Sequence, residues 1–305
     1  MKTRKPAKIK ESIWRRMFLF FNTAFLLAVG VSCLLPFVHM LAVSLSDKMA
    51  VSQNRVVFWP IDFTLKSYEF ITQSNTFMNS LFNSVKRVGL GLAANLLLIV
   101  LTAYPLSHEK EQFHARGIYA WFFIITILFS GGMIPTYMVV RYTGLLDTLY
   151  SLVLPGAIPV FSMLVVMNFF RQLPKELQEA ALIDGASYMD TLFRIILPVS
   201  LPALATVGLF SIVNHWNAWF DGMVYMNRET NYPLQTYLQT VIINPEHFFR
   251  NTTNLSSQAQ SIVNAINVRT TKSAQLFLAT IPVLVVYPFL QKYFTAGLVM
   301  GSVKG

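Results

Sequence analysis

The sequence predicts an all-α membrane protein with six transmembrane helices, and three observations support this fold class. Of the 305 residues, 54% are hydrophobic and only 12% are charged, whereas about 25% of the residues in a soluble protein are charged. The charges are unevenly spread, because six runs of 19 to 30 residues contain no Asp, Glu, Lys or Arg. Each run has the length of roughly 20 residues that a helix needs to cross a bilayer.

The charge-free runs define the predicted division of the chain. Spans are expected at about 17–45, 80–107, 117–140, 148–170, 197–220 and 273–292, with a polar loop at 171–196 and a long loop at 221–272. The spans and their loops form a transmembrane domain at 17–296. A basic tail at 1–16 precedes this domain and a short tail at 297–305 follows it.

The first element is a basic tail followed by a retained anchor. Seven Lys and Arg residues precede the first span, against the single acid Glu11. Such an excess marks the cytoplasmic side of a membrane. The apolar run that follows is longer than the core of a cleavable signal peptide. Six spans then return the C-terminus to the cytoplasm, which makes 171–196 cytoplasmic and 221–272 external.

Charged residues flank the second span at both ends. Lys86 and Arg87 lie about 30 Å from His108 along a helix, so we expect both to reach the outer headgroups. The hairpin after this span contains His108, Lys110, Glu111, His114 and Arg116, and we interpret it as a solvated turn rather than a metal site. Cys33 is the only cysteine, which excludes an internal disulfide and a cysteine metal cluster.

The loop at 171–196 has the signals of two short helices. Pro174 can begin a helix that runs from Lys175 to Asp184, and Gly185 can end it in the left-handed conformation. Ser187 followed by Asp190 is typical of the cap of a second helix. Small side chains in the first helix would let a partner approach closely.

The spacing within this loop resembles the EAA loop of permease subunits of ATP-binding-cassette (ABC) importers. The match comprises Glu179, Ala180, Ala181, Gly185, Ile195, Leu197 and Pro198. In that family the motif forms a cytoplasmic coupling helix that sits in a groove of the ATPase subunit. The resemblance therefore implies that Glu179, Ala180, Ala181, Gly185, Leu197 and Pro198 couple this chain to an ATPase.

The fifth span ends in a polar, aromatic segment that supplies candidates for the substrate path. These candidates are Asn214, Trp216 and Asn217. Amides and aromatic faces suit sugars, although tryptophan also belongs to membrane interfaces. This segment and the C-terminal residues 291–305 are similar to the corresponding parts of MalG-like carbohydrate permeases.

The resemblance implies a permease subunit that imports a carbohydrate, an oligosaccharide, across a bacterial cell membrane. Its implied partners are a second, different permease subunit, cytoplasmic ATPase subunits and an extracellular or periplasmic sugar-binding protein. The chain has no glycine loop ending in Gly-Lys-Ser/Thr. We therefore expect no cofactor and no enzymatic activity in this chain, with ATP and Mg²⁺ bound by the ATPases.

Three alternatives stay open from the sequence. An importer of the same type could carry a non-sugar solute, which the segment around Asn214 disfavours. An ion-coupled secondary transporter would place ionisable groups at midmembrane, and the charge-free runs argue against it. A membrane scaffold would leave the EAA pattern unexplained.

Overall fold

A computed structural model describes residues 12–243 and 267–302. Within these ranges the secondary structure is helical without any strand, which confirms the predicted all-α class. The α-helices are α1 (Ile13–Ser44), α2 (Lys48–Ser52), α3 (Lys66–Gln73), α4 (Asn75–Ser107), α5 (Arg116–Leu128), α6 (Met133–Tyr142), α7 (Val160–Gln172), α8 (Glu176–Ile183), α9 (Tyr188–Thr191), α10 (Leu197–Val199), α11 (Leu201–Asn217), α12 (Phe220–Tyr225), α13 (Leu234–Ile243) and α14 (Val268–Ser302). Short 3₁₀ turns lie at Leu149–Leu152, Leu154–Gly156 and Glu229–Asn231, and a π turn lies at Leu192–Ile196. Most of the basic tail, the part of the long loop at 244–266 and residues 303–305 lie outside the described residues.

The described residues form two compact units, and the first comprises residues 12–70 and 267–277. Its α1 is exposed on all sides from Ile13 to Val38. A helix that is apolar all round is typical of a membrane span. At the end of α1, a small apolar cluster that includes Val43 and Val51 packs the chain onto α2. The carboxylate of Asp47 caps α2.

The second unit comprises the described residues 71–243 and 278–302 and is built around α4. This helix packs mainly against α7 and α11. Every fourth residue along one face of α4 is buried, in the order Arg87, Gly91, Asn95, Ile99 and Ala103. Such a four-residue row is the ridge by which helices interdigitate.

A polar cluster fills the middle of the contact between α4 and α11. In the amide orientation that satisfies both of its polar atoms, Asn95 accepts a hydrogen bond from Ser211 Oγ at 2.9 Å and donates to the carbonyl of Ala157 at 3.1 Å. The ring of His215 lies beside Asn95, with 3.3 Å between Nε2 and the amide. Gly91 leaves room for this ring. The cluster satisfies buried polar groups that could not find water in a bilayer.

An apolar core occupies the half of the second unit nearer the 107–117 loop. It is formed by the buried residues Ile99, Val100, Ala103, Tyr104, Leu106, Met163, Val166, Met167, Phe170, Leu192, Ile196 and Val207. These residues come from α4, α7, α11 and the π turn. Because the π turn contributes to the core, the 171–196 loop is fastened to the spans.

Several predicted spans are bent rather than straight. Among the described residues, α1 and α4 are each long and apolar enough to cross a membrane, and the count rises to five when each bent helix pair is taken as one span. The bends are 117° between α5 and α6, 51° before α7 and 81° before α11. The sixth charge-free run lies within α14, which contains Pro282 and Pro288.

The sharpest bend divides the run at 117–140 and has a local cause. Helix α5 ends at Leu128, and Gly132 has a φ of +84° before α6 begins. Glycine adopts this conformation at little cost, and Pro135 cannot donate a helical hydrogen bond. Thirteen residues of α5 cover about 20 Å, which is less than the roughly 30 Å of hydrocarbon.

We predict that Gly91→Ala destabilises the second unit. A Cβ at this position would overlap the buried ring of His215, which cannot swing away freely because it packs beside Asn95. Overpacking of this kind costs about 1–3 kcal/mol. Thermal unfolding of the purified protein in detergent would show a lower midpoint.

Gly89→Ala is the matched control, since Gly89 lies two residues earlier in α4 and a Cβ there meets no atom within 4 Å. We expect an unchanged or slightly higher midpoint for this control. An equal midpoint for Gly91→Ala and wild type would contradict the tight contact between α4 and α11.

Candidate functional site

The corner after α8 is fixed by backbone hydrogen bonds. Helix α8 ends at Ile183, and Gly185 follows with a φ of +83°, which confirms the predicted left-handed corner. The N–H of Ala186 donates to the carbonyl of Ala181 at 2.9 Å, and the N–H of Gly185 donates to that of Leu182 at 3.1 Å. This pair of bonds is the Schellman motif, which requires a left-handed residue at the position of Gly185.

A second cap begins α9 directly after the corner. The hydroxyl of Ser187 accepts a hydrogen bond from the N–H of Asp190 at 3.1 Å and donates to its carboxylate at 2.6 Å. This bond, followed by the charge of Arg194, lowers the pKa of the Asp190 carboxyl. The two short helices and their corner, residues 176–191, are called the knob below.

The knob has a buried side and an exposed side. Ala181 is buried, as are Leu192 and Ile196 just beyond the knob. The exposed side chains include Glu179, Ala180, Leu182, Ile183 and Met189. Ile183 is 86% exposed. A cluster of exposed apolar side chains on a small polar loop is typical of a surface that binds another protein.

Three contacts link the end of α7, the start of α8 and the knob with the end of α4 and the hairpin that follows it. Arg171 donates a hydrogen bond to the carbonyl of Leu106 at 2.9 Å, and Lys175 forms an ion pair with Glu109. That hydrogen-bonded pair lowers the pKa of the Glu109 carboxyl and raises the pKa of the Lys175 ammonium. Both ion-pair partners are exposed, so the pair contributes little to the free energy of unfolding and mainly orients the two segments.

The third contact corrects an expectation from the sequence. His108 is buried rather than solvated, and its Nδ1 lies 2.8 Å from the carbonyl of Tyr104. Its ring meets the ring of Tyr188 edge to face at 5.8 Å. The ring therefore packs between α4 and α9. Lys110, Glu111 and His114 in the rest of the hairpin are exposed, whereas Arg116 is half-buried.

The motif residues near α10 lie where the loop joins the fifth apolar run. Leu197 is half-buried and Pro198 is exposed. Because a proline inside a helix lacks the N–H for the bond to the preceding turn, the helix does not run on smoothly. The π turn at Leu192–Ile196 precedes this point, and the 81° bend follows it before Leu201.

The substrate-path candidates divide between two faces of α11. Asn214 and Asn217 are exposed on one face, together with Phe210 one turn earlier. Trp216 is only 5% exposed, and its indole N–H donates to the carbonyl of Ala279 at 3.2 Å. The structure thus brings the two amides together and places the indole inside the second unit.

Arg87 stabilises the end of α11, and the expectation that it reaches the headgroups is wrong. Its side chain is 2% exposed and forms a bidentate ion pair with Asp221. It also donates to the carbonyl of Ala218 at 3.1 Å and lies 3.5 Å from that of Leu152. These oxygens replace the water that a buried guanidinium requires. A signal was present in the sequence, because Arg87 and Asp221 each border a charge-free run at its predicted external end.

Metal-binding clusters do not occur in the part of the chain that the structure describes, where no group of three or more His, Cys, Asp and Glu side chains could hold an ion. Two protein surfaces form the candidate site. One is the knob, and the other is the C-terminal end of α11 with its exposed amides.

Known proteins provide clear matches, although no family model matches the chain. The chain is 39% identical to Protein LplC of Bacillus subtilis (strain 168) over 290 residues, which cover 95% of this chain and 96% of LplC. It is 37% identical over 290 residues to the polygalacturonan/rhamnogalacturonan transport system permease protein YtcP of the same organism, with coverages of 95% and 99%. A chain in the crystal structure of a bacterial ABC transporter involved in the import of the acidic polysaccharide alginate has a TM-score of 0.84 and 29% identity, with coverages of 94% and 100%.

We predict that Asp221→Asn destabilises the protein strongly, because Arg87 would remain buried without a counter-charge. Breaking one partner of a buried pair costs about 3–5 kcal/mol. The double variant Arg87→Met/Asp221→Asn should regain part of this loss, since no charge then stays buried. Unfolding midpoints of the purified proteins would measure both effects.

The control is Arg228→Met, which removes the exposed member of the pair between Arg228 and Asp147 at 3.3 Å. An exposed pair contributes at most about 1 kcal/mol, so this variant should unfold close to wild type. If Asp221→Asn unfolds no earlier than Arg228→Met, the ion pair of Arg87 does not stabilise the end of α11.

Proposed function

The chain belongs to the family of permease subunits of sugar ABC importers, and on that premise we propose that it lines one half of a transport path for an acidic oligosaccharide. It is a transport subunit rather than an enzyme. Family membership removes the secondary transporter and the membrane scaffold as explanations. The proposal adds the partners, the orientation and the chemical class of the cargo.

The knob is proposed to receive the movement of the ATPase. Two features support this role: its corner is fixed by the Gly185 backbone, and its outer side exposes Ile183 and other apolar side chains. The carboxylate of Glu179 is exposed and makes no hydrogen bond to another described residue, so it is placed to pair with a basic group of the ATPase. The π turn that follows the knob enters the core, so a displacement of the knob would move α11 as well.

The remaining parts of the assembly follow from this placement of the ATPase. The knob faces the cytoplasm, with both chain termini on the same side, in a bacterial cell membrane. ATP and Mg²⁺ belong to the ATPase subunits. A second, different permease subunit completes the path, and a sugar-binding protein delivers the cargo from outside. The tail at 1–16, the domain at 17–296 and the tail at 297–305 remain our proposed division.

The proposed cargo is an oligosaccharide that carries carboxylates. YtcP is named for polygalacturonan and rhamnogalacturonan, and the solved transporter imports alginate, which is acidic. In this chain the exposed amides of Asn214 and Asn217 can bind sugar hydroxyls. Arg141 at the end of α6 is exposed without an ion pair to any described residue, and α6 packs on α12 through the stacked rings of Tyr137 and Tyr225. A guanidinium at this end of the unit suits a uronate carboxylate.

We predict that Gly185→Val and Glu179→Lys abolish transport without preventing membrane insertion. A β-branched residue at the left-handed corner adds roughly 1–3 kcal/mol of strain and would displace α8. The charge reversal would repel the basic group proposed to meet Glu179. The measurements are recovery of the ATPase subunits in a pull-down and sugar uptake by vesicles supplied with ATP and the binding protein.

Two controls match these variants. Gly144→Val introduces the same strain at a φ of +70° outside the knob, and Glu176→Lys reverses a charge three residues from Glu179. Both controls should keep the ATPase bound. Wild-type uptake by Gly185→Val and Glu179→Lys would show that the knob does not couple the chain to the ATPase.

We predict that Asn214→Ala and Asn217→Ala each lower uptake about two- to tenfold, because one hydrogen bond contributes about 0.5–1.5 kcal/mol.

Arg141→Gln should lower uptake of a uronate oligosaccharide more than that of a neutral one of equal length. Gln53→Ala, an exposed amide outside the spans, is the control. If the wild-type protein takes up acidic and neutral oligosaccharides at equal rates, the proposal of an acidic cargo is refuted. The proposal that the chain is part of a sugar importer would still stand.

A further inference from the structure

An open groove of about 870 Å³ runs along α5 from the hairpin that follows α4. Its lining changes in character along its length. One end is formed by Lys110, His114 and Arg116, and the rest is formed by the apolar side chains of α5. This groove has no part in the proposed coupling or in the proposed path. A basic end continued by an apolar wall is the chemistry of an anionic lipid site.

The basic end carries cations that form no close ion pair with a described residue, although the charge of Arg116 contributes to lowering the pKa of the Glu109 carboxyl. Neither Lys110 nor Arg116 forms an ion pair with a described residue. Arg171, whose guanidinium donates a hydrogen bond to the carbonyl of Leu106, is a third cationic side chain near this hairpin. Glu109 is already paired with Lys175. Arg116 also begins α5, where the helix dipole favours an anion over a cation.

The apolar part of the groove is a stripe at helical spacing. Ile118, Trp121, Phe122 and Ile125 are each about half exposed or more, and Ile118 is 77% exposed. From Arg116 to Ile125 the helix rises about 14 Å, close to the depth of one leaflet of a roughly 30 Å hydrocarbon layer. Aromatic residues such as Trp121 are enriched where hydrocarbon meets headgroups.

We propose that this groove binds an anionic phospholipid of the leaflet on the knob side, with its phosphate at Lys110 and Arg116 and an acyl chain along Ile118–Ile125. Charge complementarity selects an anionic lipid over a neutral one. The hairpin that carries the basic residues also contacts the residue that precedes the knob, through the ion pair of Glu109 with Lys175. A bound lipid would therefore steady the surface on which the ATPase is proposed to act. Only the assignment of the leaflet to the cytoplasmic side rests on the proposed function.

The test counts lipid rather than transport. The full-length chain, purified with the subunits that accompany it, is placed in nanodiscs of phosphatidylcholine containing phosphatidylglycerol, then moved into detergent, and the retained lipids are measured by mass spectrometry. Wild type should retain phosphatidylglycerol. Lys110→Gln/Arg116→Gln should retain roughly 25-fold less phosphatidylglycerol, since each basic residue near a surface changes anionic-lipid binding about fivefold.

The control is Lys86→Gln/Arg228→Gln, which removes two exposed cations that do not line the groove and should retain as much lipid as wild type. Lys110→Arg should also retain it. Equal retention by wild type and Lys110→Gln/Arg116→Gln overturns the proposal. Displacement of the lipid by an equal concentration of glycerol phosphate would overturn it too, because the site would then bind a free phosphate. Loss of the second permease from the variant with no loss of lipid would show that a protein covers the groove. None of these outcomes depends on uptake, so the proposed function is tested separately.

Discussion

The close contact of α4 with α7 and α11 is the feature on which the rest of the second unit depends. One face of α4 changes in character along its length, from the buried Arg87 through Gly91 and Asn95 to Ile99 and Ala103. Near the start of α4, Arg87 forms an ion pair with Asp221, just after the C-terminal end of α11. Near the end of α4, the same face packs with the π turn in the apolar core. A bilayer leaves unpaired polar groups no water, so each polar residue in this row is paired within the protein. The same helix therefore links the exposed amides of α11 with the knob.

Sequence reasoning predicted the parts that depend on neighbours in the chain. The helical class, Gly185 at positive φ and the Ser187 cap follow from residues within a few positions of one another, and all three are present. The EAA spacing also led to the family that the relatives establish. Local patterns are sufficient for these features because a cap or a corner is closed by backbone groups that the same short segment supplies.

Features that depend on distant residues were missed. The pairing of Arg87 with Asp221 joins residues 134 positions apart, and the burial of His108 depends on Tyr188 from another loop. Hydropathy also treated 117–140 as one span, although Ser130-Gly131-Gly132 and Pro135 mark a break within it. The hydropathy of a run indicates only whether the segment is apolar enough to lie in the hydrocarbon of a bilayer. The direction of the chain inside that run is set by glycine, proline and tertiary packing.

The Schellman corner after α8 has an evolutionary consequence. The bonds that shape it join main-chain atoms, so the outward-facing side chains of α8 and α9 contribute little to keeping that shape. Selection can then exchange Ile183, Met189 and their exposed neighbours while the fold of the segment persists. A recognition surface of this kind can therefore change its side chains, and with them its binding partner, without a change in the backbone that carries it.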